Sequence, residues 1–177
     1  MIWLSNSTIA RLRDQLQARG QRPSIVTDPS MPPESVELMN LLSEYGPLCE
    51  AMYLMMSADG RISTEEREVL KGALRNLSGD TIRGAQIDAM LDHATKQVTD
   101  QGRDARMKDV IHQLHEDKAR AEVAFVLAAA IAFADNAIAD EENETLNALA
   151  DGLGIDENRA NELLDAVEAD LSKQGGA

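Results

Sequence analysis

The sequence predicts an all-α domain assembled from two copies of one acidic helix–turn–helix unit. Three observations lead there. Aromatic residues make up 3% of the chain against an apolar fraction of 44%, so Ala, Leu and Met must fill the interior, as they do in helix bundles. No run of β-branched or aromatic residues reads as a set of strands. Shifting the sequence by 76 residues lays 58–83 on 134–159 without a gap, with ten identities. A chain of 177 residues suits one domain with a core and a short appendage.

In chain order, residues 2–19 read as an amphipathic helix. Ile9, Leu12 and Leu16 recur at three- and four-residue spacing, Ser5 or Ser7 can cap the start, and Gly20 fits a C-terminal stop. Residues 21–35 hold Pro23, Pro29, Pro32 and Pro33 and read as an extended linker, separating an N-terminal helix (1–20) from a main domain (36–172). Helical patterning resumes at Val36. It is expected to break at Gly46–Pro47, with Pro47 in the first turn of a new helix that carries Leu48, Met52 and Met55 to about Ser57. After the Asp59–Gly60 turn, Ser63 and Glu66 form a capping box for the next helix, and Asp80 is expected to cap the one after. A polar helix is expected over 103–115. Val123–Ala134 is the most apolar stretch and, at twelve residues, too short to span a bilayer, so it reads as a buried central helix. Helices at about 140–152 and 156–171, the latter capped by Asp156, complete the chain before a frayed Gly175–Gly176 tail.

The repeat spans about 47–95 and 121–171. Ala58, Asp59, Ile62, Glu65, Glu66, Glu68, Leu70, Leu77, Asp80 and Arg83 fall on Ala134, Asp135, Ile138, Glu141, Glu142, Glu144, Leu146, Leu153, Asp156 and Arg159. Gly60 and Asn136, the residue types that best tolerate a left-handed turn, follow the aspartates. Ile62 and Ile138 are expected to tuck each turn onto the core, and the paired glutamates to complement a helix N-terminus. Two such units about a pseudo-twofold axis would make a compact bundle.

Charge and cysteine content narrow the function. The net charge is −14, split as +3 over residues 1–23 and −17 over the rest. Such a field repels phosphate backbones, so nucleic acid is not an expected partner; it suits basic partners or hard cations. Cys49 alone can form neither an internal disulfide nor a cysteine zinc cluster. With no signal-peptide layout and no spanning segment, a cytoplasmic location is expected. The basic N-terminal helix, with Ile2, Trp3 and Leu4 beside Arg11 and Arg13, is expected to fold back onto the acidic domain; contact with an anionic membrane surface or a partner through residues 1–19 is the alternative.

The strings Met56-Ser-Ala-Asp-Gly-Arg-Ile-Ser-Thr-Glu-Glu66 and Ala132-Phe-Ala-Asp-Asn-Ala-Ile-Ala-Asp-Glu-Glu142, each behind an Ala- or Met-rich helix, resemble the paired motif of the TerB family of tellurite-resistance proteins and TerB-like domains. The likeness covers roughly 46–171. It implies a bundle of about seven helices, to which the N-terminal helix is added. It also implies a role in bacterial stress response beside calcium-binding and membrane proteins, a metal site of acidic residues, and no enzymatic activity. The second motif departs from the pattern: Asn136-Ala137 replaces the usual Gly and its polar follower, and Ala139 lacks the hydroxyl of Ser63.

Neither turn is an EF-hand. With Glu66 as the twelfth ligand position, positions one and three are Met55 and Ser57, and in the second copy Ile131 and Phe133, where carboxylates are required. The metal site to expect is one shared between the copies, with Asp59 and Asp135 from the turns, Glu66 and Glu142 from the helix starts, and Glu65 and Glu141 in reserve. All-oxygen ligands suit Ca²⁺, Mg²⁺ or Mn²⁺. The competing reading makes the same carboxylates helix and turn caps. No organic cofactor is expected: there is no Gly-rich phosphate loop and no nucleophile–base pair. His112, His115 and Glu116 read as surface residues, His93 as isolated, and Cys49 as inert packing. With the resemblance, the expectation is a non-catalytic scaffold or sensor, cation-responsive and, as the resemblance implies, paired with proteins of a stress-response complex. The alternatives are a metal-free acidic adaptor and, third, a metal-dependent hydrolase using the same carboxylates.

Overall fold

The computed structural model describes residues 3–20, 24, 28–134 and 138–176, Asp59 through its backbone alone. Among these are eight α-helices and no strand: α1 Asn6–Ala18, α2 Pro33–Met56, α3 Thr64–Leu77, α4 Gly84–Gln101, α5 Arg103–Leu114, α6 Lys118–Phe133, α7 Asp140–Gly152 and α8 Glu157–Gly175. A single 3-10 turn, Ser57–Asp59, joins α2 to the first acidic motif. α6 is the central helix. Every residue from Arg120 to Ala132 is buried, and a continuous apolar cluster reaches from Leu4 through α6 to Leu171. Its alanines let neighbouring helices approach closely without leaving voids.

α2 runs unbroken through Gly46–Pro47, contrary to the interruption that the proline predicts. Pro47 offers no N–H to the carbonyl of Ser43, four residues back. Arg120, 1% exposed on α6, fills the vacancy: its Nη2 donates to Ser43 O at 2.9 Å and to Glu44 O at 2.8 Å. Gly46 removes the side chain that would crowd the proline ring. The helix also begins at Pro33 rather than Val36, with Pro33 in its first turn, where a missing N–H is no loss.

A second expectation fails at Asp80, which does not cap α4. Asp80 lies in the left-handed region at φ 60° and its N–H closes the end of α3 by donating to Arg75 O at 2.8 Å. The N-cap of α4 is Arg83, whose N–H donates to Gln86 Oε1 at 2.8 Å. In the second copy Asp156 does cap α8, accepting from Arg159 N at 2.9 Å. The two copies thus share the aspartate and not its role, because α8 begins three residues earlier in the repeat register.

The pseudo-twofold extends beyond the sequence register. α1 packs on α3 and α6, and α5 packs on α7 and α2, the respective counterparts under the 76-residue shift. Their apolar stripes correspond: Ile9, Leu12 and Leu16 of α1 match Met107, Val110 and Leu114 of α5. Where Ile111 meets Gly152, so closely that a Cβ there would stand 2.5 Å from its Cδ1, the equivalent Arg13 instead donates to Asn76 O at 3.4 Å. Each unit therefore has four helices, α1–α4 and α5–α8. α1 is an integral part of the first: Leu4, Ile9, Leu12 and Leu16 are buried, and Ser5, its N-cap, binds Asp170 of α8 through N–H (2.9 Å) and hydroxyl (2.8 Å). The units differ by an insertion. α6 starts at Lys118, the counterpart of Leu42, so Pro33–Leu41 extends α2 past its equivalent.

Candidate functional site

The two acidic motifs lie where α2 and α6 end. After the 3-10 turn, Gly60 takes φ 91°, a left-handed geometry that glycine adopts without strain. Ile62 and Ile138 are half-buried against the core, as their spacing predicts. Ser63 then caps α3: its Oγ accepts from Glu66 N at 3.1 Å while Glu66 Oε2 accepts from Ser63 N at 2.7 Å. Glu142 makes the equivalent return bond, accepting from Ala139 N at 3.0 Å, but Ala139 has no hydroxyl to complete the box. Glu65 and Glu141 are exposed beside them. Asp135, Asn136 and the Asp59 side chain lie outside the described residues.

Two features bear on whether a cation fits here. Among the described residues, which leave out Asp135 and the Asp59 side chain, no three His, Cys, Asp or Glu side chains come together as a ligand cluster. A capping bond occupies one oxygen of a carboxylate, which has acceptor capacity on both. At the first turn Ser57 is 5% exposed, and its Oγ has no hydrogen-bond partner, an orphaned donor and acceptor two residues before Asp59. The 3-10 turn carrying Ser57 and Asp59 packs against α7, the helix that opens with Asp140-Glu141-Glu142. Arg103, which sequence patterning left unassigned, donates from Nη2 to Leu54 O near the end of α2.

Other reactive groups are tied up. Cys49 is 1% exposed and its thiol is pushed up to about 12, first by burial and then by Glu50. His112 and His115 stack at 5.6 Å between centroids on the exposed side of α5 and its C-cap.

Two ion pairs with a buried glutamate, Glu50 and Glu122, lie at equivalent clefts. Between α2, α4 and α5, Arg106 clasps Glu50 through Nε (2.6 Å) and Nη2 (2.9 Å) and reaches Asp109 at 2.8 Å. The Glu50 bonds hold the guanidinium pKa above its ordinary value. Between α6, α8 and α1, Arg159 clasps Glu122 through Nε and Nη2, both at 2.9 Å, and reaches Glu162 at 2.8 Å. That pairing draws the Glu122 carboxyl below its usual range against the opposing effect of burial. Nothing in the sequence periodicity links Glu50 to Arg106, because they belong to different helices 56 residues apart.

The molecule is thus an all-α protein of two pseudo-symmetric units, each presenting an Asp-x-x-Ile-x-x-Glu-Glu motif at the end of an apolar helix. A family model for the tellurite resistance protein TerB matches residues 48–165, and the chain belongs to that family. Comparison with curated proteins and with solved structures gave no match. The matched span takes in both acidic motifs and leaves out α1 and the N-terminal extension of α2. No helix among the described residues is long and apolar enough to cross a membrane.

Proposed function

We propose that this protein is a non-catalytic scaffold of a TerB-type bacterial stress response, working in the cytoplasm beside protein partners, with a divalent-cation site shared between its two acidic motifs. The observation that carries the cation reading is the packing of the first turn, with its orphaned Ser57 hydroxyl, against the helix that begins with the second motif's glutamates. Asp59, Glu66, Asp135 and Glu142 are the ligands, with Glu65 and Glu141 at the margin; an oxygen-only set selects Ca²⁺, Mg²⁺ or Mn²⁺. A cation there would tie the two units together and offset the mutual repulsion of the carboxylates. The non-catalytic part of the reading is supported by a thiol too basic to attack at neutral pH and by exposed histidines none of which faces a nucleophilic side chain: His112 stacks on His115, His115 lies beside Glu116 and His93 pairs with Gln97.

Thermal unfolding of EDTA-stripped protein with each ion added separately tests the cation site. An ion at a hundredfold its Kd adds about 2.7 kcal/mol if it binds only the folded state. For a chain this long the midpoint is expected to rise by about 5–11 °C. The gain should vanish in Asp59→Asn/Asp135→Asn. No shift with any ion, or a shift that survives the double substitution, removes the cation from the proposal and leaves the motifs as helix caps.

A further inference from the structure

The α2–α4–α5 cleft has a volume of about 530 Å³, within the range of ligand-binding clefts. Met39 (42% exposed) and Leu42 (38%), the large hydrophobics that stand out on the described surface, both line it, facing Ala89 and Met90, with Glu50 and Arg106 at the floor. Its pseudo-equivalent between α6, α8 and α1 is smaller, about 330 Å³, and more polar, with Arg11, Gln15 and Glu162 among Leu12, Val126 and Leu163 on its walls. Lys118 stands where the first unit has Leu42, and Asp165 where it has Ala89. The two equivalent places thus differ in size and in how apolar they are, and the first is the larger and more apolar. Part of that wall, Met39, comes from the extension of α2 that α6 lacks and that lies outside the family match.

Charge indicates what the cleft takes. Arg106 is shared by Glu50 at the floor and by the exposed Asp109 beside the cleft, so the three groups sum to −1 inside a molecule of −14. An anionic ligand is disfavoured and a cationic one attracted. The same body already holds one basic amphipathic helix, α1, by burying Ile9, Leu12 and Leu16 and catching Arg19 between Glu44 and Asp117. We propose that this cleft is the docking groove for an amphipathic helix of a partner protein, with apolar anchors three or four residues apart seated on Met39, Leu42, Ala89 and Met90, and a Lys or Arg reaching Asp109 and Glu50. Methionines on two walls suit a groove that adjusts to its anchors. The proposal rests on the scaffold reading and gives it a surface.

The probe is a synthetic amphipathic helix of leucine and lysine, titrated into the full chain in EDTA at about 0.15 M salt and followed by the ¹³C-methyl methionine spectrum. Binding is expected to move the Met39 and Met90 methyls first. Leu42→Lys/Ala89→Asp places at two exposed positions the residues that the second unit has in the same register; it should keep the helical CD spectrum and bind about tenfold more weakly or worse. Met39→Lys should weaken binding from a separate position. Equal binding by wild type and these variants overturns the cleft, since the peptide then follows the acidic surface as a whole. Equal binding of a leucine–glutamate peptide overturns the charge argument. A concentration-dependent dimer that Leu42→Lys/Ala89→Asp dissolves gives the groove to a second copy and overturns the partner helix. Absence of binding to any helix overturns the groove alone, because cation stabilisation in EDTA-free buffer tests the other part of the scaffold reading independently.

Discussion

Pro47 takes an N–H out of the middle of α2, and Arg120 puts a donor back. The two residues lie on different helices and neither makes sense without the other: a buried guanidinium is costly unless it is well hydrogen-bonded, and an orphaned buried carbonyl costs about 1–3 kcal/mol. Arg120→Met keeps most of the volume and leaves Ser43 O and Glu44 O without this donor. The expected loss is about 2–4 kcal/mol in urea-induced unfolding. Pro47→Ala restores an N–H to the helix, so Arg120→Met should cost less in that background, with a coupling of about 1 kcal/mol. Independent, additive effects would mean that Arg120 contributes by packing alone. This pairing also explains a failure of sequence reasoning. A Gly-Pro pair inside an apolar pattern signals a helix start, and the residue that overrides the signal lies 73 positions away.

At the scale of elements, the N-termini of α3 and α7 are one motif with one difference. Ser63 and Ala139 hold nearly the same backbone, φ −73°, ψ 164° and φ −68°, ψ 153°, and the glutamate three residues on bonds back to both. Only the hydroxyl is missing in α7. Ala139→Ser should therefore complete the box and add about 0.5–1 kcal/mol, raising the midpoint by about 1–4 °C, while Ser63→Ala loses a similar amount. No gain from Ala139→Ser would mean that the second turn holds its backbone differently from the first. The elements themselves were largely legible. α5 to α8 follow from periodicity and capping residues, and α3 from its capping box, because those signals are local. What escaped was set by distant partners: the continuity of α2, the start of α4, where Asp80 closes the previous helix instead of capping the next, and the kinship of α1 with α5. That kinship rests on three apolar positions and a shared packing role, with too few identities to register as a repeat. Within the candidate site, Glu66 and its box were readable from spacing. Ser57 and Arg103 were not, since a burial without a partner and a bond across helices leave no periodic trace.

At the scale of the whole molecule, the acid excess is visible in how cations are used. Arg19 lies between Glu44 and Asp117, Arg67 between Asp88 and Asp92, Lys71 between Glu68 and Asp88, Arg106 between Glu50 and Asp109, and Arg159 between Glu122 and Glu162. Each of these five cations answers two carboxylates, whereas Arg75 and Lys96 each pair with one, and the long-range sum stays at −14. These two components respond differently to salt. Ions screen separations beyond a Debye length of about 10 Å at 0.1 M, and they screen close, partly buried pairs such as Glu50–Arg106 far less. Repulsion across the acidic surface should therefore fall away before the clasps do. The thermal midpoint is expected to rise by a few degrees between about 20 mM and about 500 mM NaCl. A molecule held chiefly by its surface ion pairs would lose stability over the same range, and a falling midpoint would show that the pairs outweigh the net charge. The experiment also separates general screening from a specific cation. Sodium acts at tenths of molar on the entire field, whereas an ion at the proposed site of Asp59, Glu66, Asp135 and Glu142 would saturate, and its gain would disappear with the aspartates while the sodium effect remained.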